Sequence, residues 1–297
     1  MEIRPAHPDD AEALAAVRRD VFAFAVMSPA TVAHMITTST PDEQPLHLVG
    51  LDEGRVVAWG SAAINTWTSD PGQAGINVHV HPEHRLRGIG GALSDRLHEH
   101  LQEIGAVRAR AFASSSGVEF AKRRGYDGTR QMHYSGIDLR QPLPDQPPTP
   151  DGIELVGLDQ VTARQAYLVD SIAGLDEPGD SPSDAVEFDQ WVQEIWESPG
   201  LDKALSVAAL AGDEIVAYHA VETAGDRAWA GMTGTLPAYR GKGLAKLVKS
   251  VALRRAAAAG IVGAFTSNDD ENGPMLAVNN WLGYRRVETQ TGLLRLL

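Results

Sequence analysis

The sequence predicts an α/β (α+β) chain made of two tandem domains of one design. Three observations predict it: a length suited to two domains, a proline-rich segment near the middle, and the same order of elements on each side of that segment. At 297 residues the chain exceeds the usual domain size of about 100–150 residues. Residues 141–152 read Gln-Pro-Leu-Pro-Asp-Gln-Pro-Pro-Thr-Pro-Asp-Gly, and Pro142, Pro144, Pro147, Pro148 and Pro150 deny them helix and sheet hydrogen bonds. The expected division is therefore residues 1–140, a semi-rigid linker 141–152, and residues 153–297. A repeat at half the chain length means duplicated domains and not a solenoid.

Each half opens on an apolar segment, Ile3-Arg4-Pro5-Ala6 or Ile153-Glu154-Leu155-Val156. A helix follows in each. In the first half Asp9-Asp10 is a start signal, with Leu14, Val17, Val21 and Phe22 at helical spacing; in the second the helical stretch runs from about Ala163 to Ile172. Strand pairs come next: Leu46 to Gly50 with Val56 to Trp59, and Leu205 to Ala209 with Ile215 to Tyr218. Polar, glycine-containing turns at Asp52-Glu53-Gly54 and Gly212-Asp213-Glu214 make each pair an antiparallel hairpin. The third strands are Gly75 to Val80 and Ala228 to Leu236.

Composition narrows the function. Apolar residues are 43% and charged residues 22%, the usage of a chain that buries real cores. A net charge of -13 repels phosphate backbones and anionic lipid, so neither nucleic acid nor a membrane is expected as a partner. There are no cysteines, which removes disulfides, thiolate nucleophiles and Cys-based metal sites together. The opening Met1-Glu2-Ile3-Arg4-Pro5 lacks the apolar core of a secretory signal, and a cytoplasmic location is expected.

After each third strand comes a glycine-rich basic turn that runs into an amphipathic helix. The turns are Arg85-Leu86-Arg87-Gly88-Ile89-Gly90 and Arg240-Gly241-Lys242-Gly243-Leu244-Ala245. Ile89, Leu93, Leu97, Leu101 and Ile104 mark one helix stripe; Leu244, Leu247, Val248 and Val251 mark the other. Small residues let a ligand approach the backbone, and first-turn amides and the helix dipole suit a pyrophosphate. Glycine and arginine also merely cap helices, but two matches in equivalent contexts argue for a ligand. Neither turn has the Gly-Lys-Ser/Thr ending of a nucleotide triphosphatase, and no dinucleotide fingerprint is present.

These turns resemble the acetyl-CoA motif of the GCN5-related N-acetyltransferase (GNAT) superfamily, Arg/Gln-x-x-Gly-x-Gly/Ala between strand and helix. The resemblance spans both halves, because the superfamily's later helix ending in Gly-Phe or Gly-Tyr recurs as Arg124-Gly125-Tyr126 and Leu282-Gly283-Tyr284. It implies two tandem domains, each a mixed, mainly antiparallel sheet with helices on both faces, splayed at the strand before the turn. It also implies acetyl-CoA as co-substrate, direct transfer to an amine of a small molecule or peptide, and no metal.

By that resemblance the second half holds the ligand on Arg240 to Ala245, with Asn268, Asn272 and Asn279 along the pantetheine arm. A backbone amide near Thr235 and Leu236 would meet the oxyanion. The first half has Ala113-Ser114-Ser115-Ser116-Gly117-Val118-Glu119 at the matching place, with no asparagine. Its grip, on Val80 and Arg85, Leu86, Arg87, Gly88, Ile89 and Gly90, is expected to be poorer, and the second half is expected to catalyse.

The tyrosine that many members place four residues before the Gly is absent here; Ala121 and Asn279 stand at those positions. A thiol of pKa about 8.5 leaving as thiolate near neutral pH costs roughly 2 kcal/mol, whereas deprotonating an alkylammonium of pKa about 10.4 costs roughly 4–5 kcal/mol. A base therefore matters more than an acid. Glu222 and His219 are the candidates, either acting through water, though a solvated strand end and a satisfied sheet histidine are equally consistent with the pattern.

His79, His81 and His84 lack a carboxylate at matching spacing, and Pro82 breaks their element, so no metal site is expected. The acidic stretch from Asp176 to Glu187 falls where the superfamily's acceptor loop lies; it suits either a cationic amine or a solvated loop. Three readings stay open: an amine N-acetyltransferase, a non-catalytic CoA-binding protein, and an enzyme resembling the two-domain mycothiol synthases. Acceptor and oligomeric state are not readable from the sequence.

Overall fold

A computed structural model describes residues 2–297. The chain forms two compact units: the residues up to Met132 together with Thr289–Leu297, and His133–Glu288.

The first unit begins with β1 (Glu2–Pro5), α1 (Ala11–Val21), α2 (Pro29–Thr37), β2 (Leu46–Asp52), β3 (Arg55–Ile64) and β4 (Gln73–Val80). It continues through α3 (Ile89–Glu103), β5 (Arg108–Ala113), α4 (Ser115–Lys122) and β6 (Asp127–Asp138), which enters the second unit at His133. β1 to β4 pair antiparallel in order, and β4 pairs parallel with β5 over Gln73–Gly75 only.

β3 shows how one strand serves two layers, because successive side chains point to opposite faces. Ala58 joins the core built on Leu93, Leu97 and Leu101 of α3. Its neighbour Trp59 joins Leu14, Ala15 and Val32 of α1 and α2. A strand covered on both faces reads as a nearly continuous apolar run, as Val56 to Trp59 does.

The second unit repeats the plan with β7 (Ile153–Gly157), α5 (Ala163–Gly174), α6 (Phe188–Trp191) and its π-helical continuation Val192–Trp196, β8 (Val207–Ala211) and β9 (Glu214–Ala224). Then come β10 (Arg227–Thr235), α7 (Leu244–Ala258), β11 (Gly263–Asp269), α8 (Gly273–Leu282) and β12 (Arg285–Leu296). β7 to β10 pair antiparallel, and β10 pairs parallel with β11. The strand face alternates as before. Ala217 packs in the core with Leu247, Val248 and Ala252 of α7, while the Tyr218 hydroxyl donates to Asp170 of α5 at 2.5 Å.

Asp170 is buried and also accepts from the Trp191 indole, so two donors offset the cost of its burial. Burial is the larger effect and pushes its carboxyl above the usual range. The arrangement pins α6 to α5, and Trp191 and Trp196 stack 5.9 Å apart on the same segment.

Residues 141–152 contain no strand or helix, as their prolines require. The compact units nevertheless change over elsewhere, at Met132/His133 inside β6 and Glu288/Thr289 inside β12. Strand pairing is the reason: Thr291 to Leu296 of β12 run antiparallel to Ala113 to Arg108 of β5, so the last segment of the chain completes the first unit's sheet. Local sequence carries no sign of such a long-range pairing. Among the described residues no helix is long and apolar enough to cross a membrane.

Leu293 is fully buried in the first unit's core. Leu293→Ala should therefore cost about 2–5 kcal/mol. Denaturant unfolding should show a lower midpoint, and limited proteolysis should cut the residues before Met132 first; an unchanged midpoint would contradict the pairing.

Candidate functional site

The site begins where two strands part. β10 and β11 are paired only at Arg227, Ala228 and Trp229, opposite Gly263, Ala264 and Phe265. Beyond Trp229 the ladder from β10 to β9 slips between Ala230 and Thr233, leaving Gly231 and Met232 bulged. Such a bulge re-aims backbone groups. A cleft of about 700 Å³ opens there, lined by β10 from Trp229 to Thr233, by Thr266 to Asn268 of β11, by the start of α7 and by Asn272 and Met275 of α8.

The turn after β10 is shaped for close approach. Gly241 and Gly243 have φ of 73° and 79°, and a Cβ at either would point into open space. No side chain caps α7, so its first-turn amides stay open to a ligand. Arg240 braces this turn: its Nε donates to the Thr235 carbonyl at 3.1 Å and its Nη2 lies 2.5 Å from the Asp176 carboxylate. Lys242 is exposed, with its ammonium 4.6 Å from the centre of the Tyr239 ring.

Of the expected ligand-holding residues, Thr235, Arg240, Gly241, Gly243, Leu244, Ala245, Asn268 and Asn272 line the cleft, whereas Leu236, Lys242 and Asn279 do not. The Leu236 amide already donates to Val216 O at 2.9 Å and is not free to meet an oxyanion. Asn272 caps α8, its Oδ1 accepting from Met275 N at 3.3 Å. Asn279 is buried and donates to Asn268 Oδ1 at 2.6 Å, which orients Asn268 from behind. Thr235 Oγ1 is buried with no hydrogen-bond partner.

The two candidate bases differ. His219 is buried behind Thr233, whose hydroxyl lies 2.9 Å from Nδ1, and it does not line the cleft. Burial, then the nearby Lys249 charge, hold it neutral by pushing its pKa well below the usual histidine value. Glu222 is half-buried, and burial pushes its carboxyl upward. Its Oε1 lies beside the bulge, 3.5 Å from where a Cβ on Gly231 would stand.

Sequence reasoning missed Lys249. It lies on α7, is fully buried, lines the cleft and holds its ammonium 5.7 Å from the centre of the Tyr284 ring. Burial lowers its pKa to about 7. A lysine beside an apolar stripe is normally a solvated face, so periodicity raised no signal.

The first unit keeps the backbone of the turn with different side chains around it. Gly88 has φ 87°, and Arg85 Nε donates to Val80 O at 3.1 Å, as Arg240 does to Thr235. Leu86 stands where Gly241 does, fully exposed at φ 61°, a conformation that costs a non-glycine residue about 1–2 kcal/mol. Arg87 is tied to Asp52 at 3.0 Å. β4 pairs with β3 without a bulge. The Arg124 guanidinium stacks on the Phe120 ring at 3.9 Å, and both reach the first turn of α3 at Gly90 and Gly91. Ile89 is buried in the core.

The three histidines of this unit diverge. His79 meets Arg18 at 3.1 Å, His81 meets Asp20 at 3.3 Å and His84 meets Asp52 at 3.0 Å. Among the described residues no group of three or more His, Cys, Asp or Glu side chains could hold a metal ion. In the acidic stretch, Asp176 and Glu177 line the second unit's cleft, Asp176 being paired with Arg240.

Comparison with known proteins finds acetyltransferase domains in both halves of the chain. The Acetyltransferase (GNAT) family profile matches residues 17–126 and an Acetyltransferase (GNAT) domain profile matches residues 176–266. The mycothiol acetyltransferase of Nocardioides sp. is 25% identical over 233 residues, 73% of this chain and 79% of that protein. That of Nocardiopsis dassonvillei is 25% identical over 307 residues, covering 93% of this chain and 89% of its own. Among solved structures, a tandem GNAT protein from the clavulanic acid biosynthesis pathway superposes with a TM-score of 0.75 at 20% identity, over 99% of this chain and 98% of that one. A GCN5-related N-acetyltransferase from Sphaerobacter thermophilus gives 0.73 at 18% identity, over 99% and 95%.

Lys249 makes a pH prediction. Its folded pKa of about 7 lies below the ordinary value of 10.5, so between those values the unfolded chain binds the extra proton and stability must rise with pH. The penalty is full below about pH 7 and relieved toward pH 10, by up to about 5 kcal/mol for the whole shift. Lys249→Met should flatten that rise in a melting series from pH 6 to 10. Parallel curves for the two proteins would place the ammonium in water.

Proposed function

Because the chain is a tandem member of the GNAT superfamily and so an acyltransferase, we propose that its second unit transfers the acetyl group of acetyl-CoA directly to a primary amine of a small molecule or peptide. The observation that carries this reading is the cleft between β10 and β11, which joins the open glycine turn to a bulged strand. The residues fit the co-substrate: Gly241, Gly243 and the first turn of α7 offer backbone amides to a pyrophosphate. Asn268 and Asn272 offer amides to the pantetheine arm, and the orphaned Thr235 hydroxyl lacks a partner that a ligand can supply.

A thioester supplies an activated acyl carbon and a leaving thiolate. The chain's own part is to orient it and handle charge and protons. With Leu236 engaged, the main-chain amides of the bulge, at Gly231 and Met232, are the donors we assign to the developing oxyanion. Glu222, raised by burial and set beside the bulge, is the proton acceptor for the attacking amine through water; His219, sealed behind Thr233, is not. Asp176 and Glu177 at the cleft wall favour a cationic acceptor.

The relatives named mycothiol acetyltransferase favour one specific acceptor, the amine of a thiol precursor. Activity on that amine alone, in a panel read by release of free CoA thiol, would select it.

Acetyl-CoA should raise the melting temperature, since binding to the folded state adds RT ln(1 + [L]/Kd), and ADP should raise it less. Gly243→Val should abolish that shift and lower transfer at least tenfold, while Gly88→Val should leave most of both, once circular dichroism shows both variants folded. No shift at millimolar acetyl-CoA would remove the CoA assignment; loss in the Gly88 variant alone would move the site to the first unit.

A further inference from the structure

Lys249 has no role in the chemistry above, yet it is among the most thoroughly buried side chains of the second unit. A buried ammonium is costly unless something accepts its hydrogen bonds. Among the described residues no ion pair or hydrogen bond does so, and burial alone accounts for its lowered pKa. The groups that face it are a neutral histidine, His219 from β9, and the ring of Tyr284 from the turn before β12. Of the hydroxyls that β10 and β11 bring to the same cleft, Thr233 bonds His219, and Thr266 donates to Ala230 O at 3.3 Å. Lys246, one turn back on α7, lies over the Trp281 ring.

We propose that Lys249 is the cleft's cationic anchor for a thioester ligand, taking up a proton as the ligand enters and donating a hydrogen bond from its ammonium to an oxygen of the ligand's acyl arm. The inference rests on the acetyl-CoA reading and deepens it. Position selects the arm over the phosphates. The glycine cradle is at the start of α7, and Lys249 lies five residues beyond Leu244, about 7–8 Å further along the helix at 1.5 Å per residue. What the arm offers at that depth is carbonyl oxygen, from its amides and the thioester. A carbonyl oxygen accepts from an ammonium but cannot donate to a neutral amine, so the bound state favours the charged form. With a pKa of about 7 before binding, the amine is mostly neutral at pH 8 and has a proton to gain.

Calorimetric titration of the full chain with acetyl-CoA at pH 8, in two buffers of different ionisation enthalpy, counts that proton. The wild type should take up close to one proton more than Lys249→Met, which should bind about tenfold more weakly. Lys249→Arg, charged throughout, should bind without the extra uptake. A merely structural lysine would leave the proton count the same in all three. Should the Met variant not fold, the wild type alone decides: its Kd should weaken by up to tenfold per pH unit between about 7 and 9. A flat profile, or equal proton counts in wild type and variants, overturns the anchor while leaving acetyl-CoA binding in place. No binding at all overturns the acetyl-CoA reading and the anchor with it.

Discussion

Everything at the site depends on one break in hydrogen bonding, where β10 leaves β11 after three paired residues. Parallel strands that stay paired leave no room between them; strands that part expose main-chain donors that must then find partners. The second unit meets that demand with a cleft whose walls are backbone-rich: the bulge at Gly231 and Met232, the glycine turn and the uncapped first turn of α7. Side chains serve mostly as braces. Arg240 holds the turn to Thr235, Asn279 orients Asn268, and Asn272 starts α8.

The first unit shows the same break in a different setting. β4 leaves β5 after the same three residues, and the turn after it has nearly the same φ at Gly88. What differs is the side chains around it. Phe120 and Arg124 cover the first turn of α3, Arg87 is spent on Asp52, and Leu86 carries the strain that Gly241 avoids. A fold can preserve its backbone plan in two units while the side chains around the turn differ.

The elements that depend on local pattern were readable from the sequence. The hairpins, the third strands and the helices after the turns follow from period and punctuation, and α5 begins at Ala163 as expected. Pairing between distant segments was not, since β5 and β12 carry no mark of each other. At the site, glycine and arginine signalled the turn, yet the arginine proved a brace, and the Leu236 amide proved committed to Val216. Side-chain and amide commitments are tertiary facts that spacing does not encode. Lys249 was invisible for the same reason, because only packing by distant residues, His219 of β9 and Tyr284 before β12, turns a helix-surface lysine into a buried one.

The long-range pairing of β5 with β12 also ties the two units together in sequence. β5 needs a partner on its far side, and without one it would present an open row of amides and carbonyls, a template for aggregation. The partner is Thr291 to Leu296, the last strand of the chain, with Leu293 fully buried among Leu93, Leu97 and Leu101. The first unit therefore closes only after the rest of the chain has been made, at the entropic cost that such distant contacts carry in folding. The first compact unit is not a continuous stretch of sequence, because it takes back Thr289–Leu297 after the second unit, so loss of either part of it removes the β5–β12 pairing from what remains. Selection that keeps the chain folded then bears on the first unit as well, because the segment that follows the second unit supplies the strand on which the first unit's sheet closes.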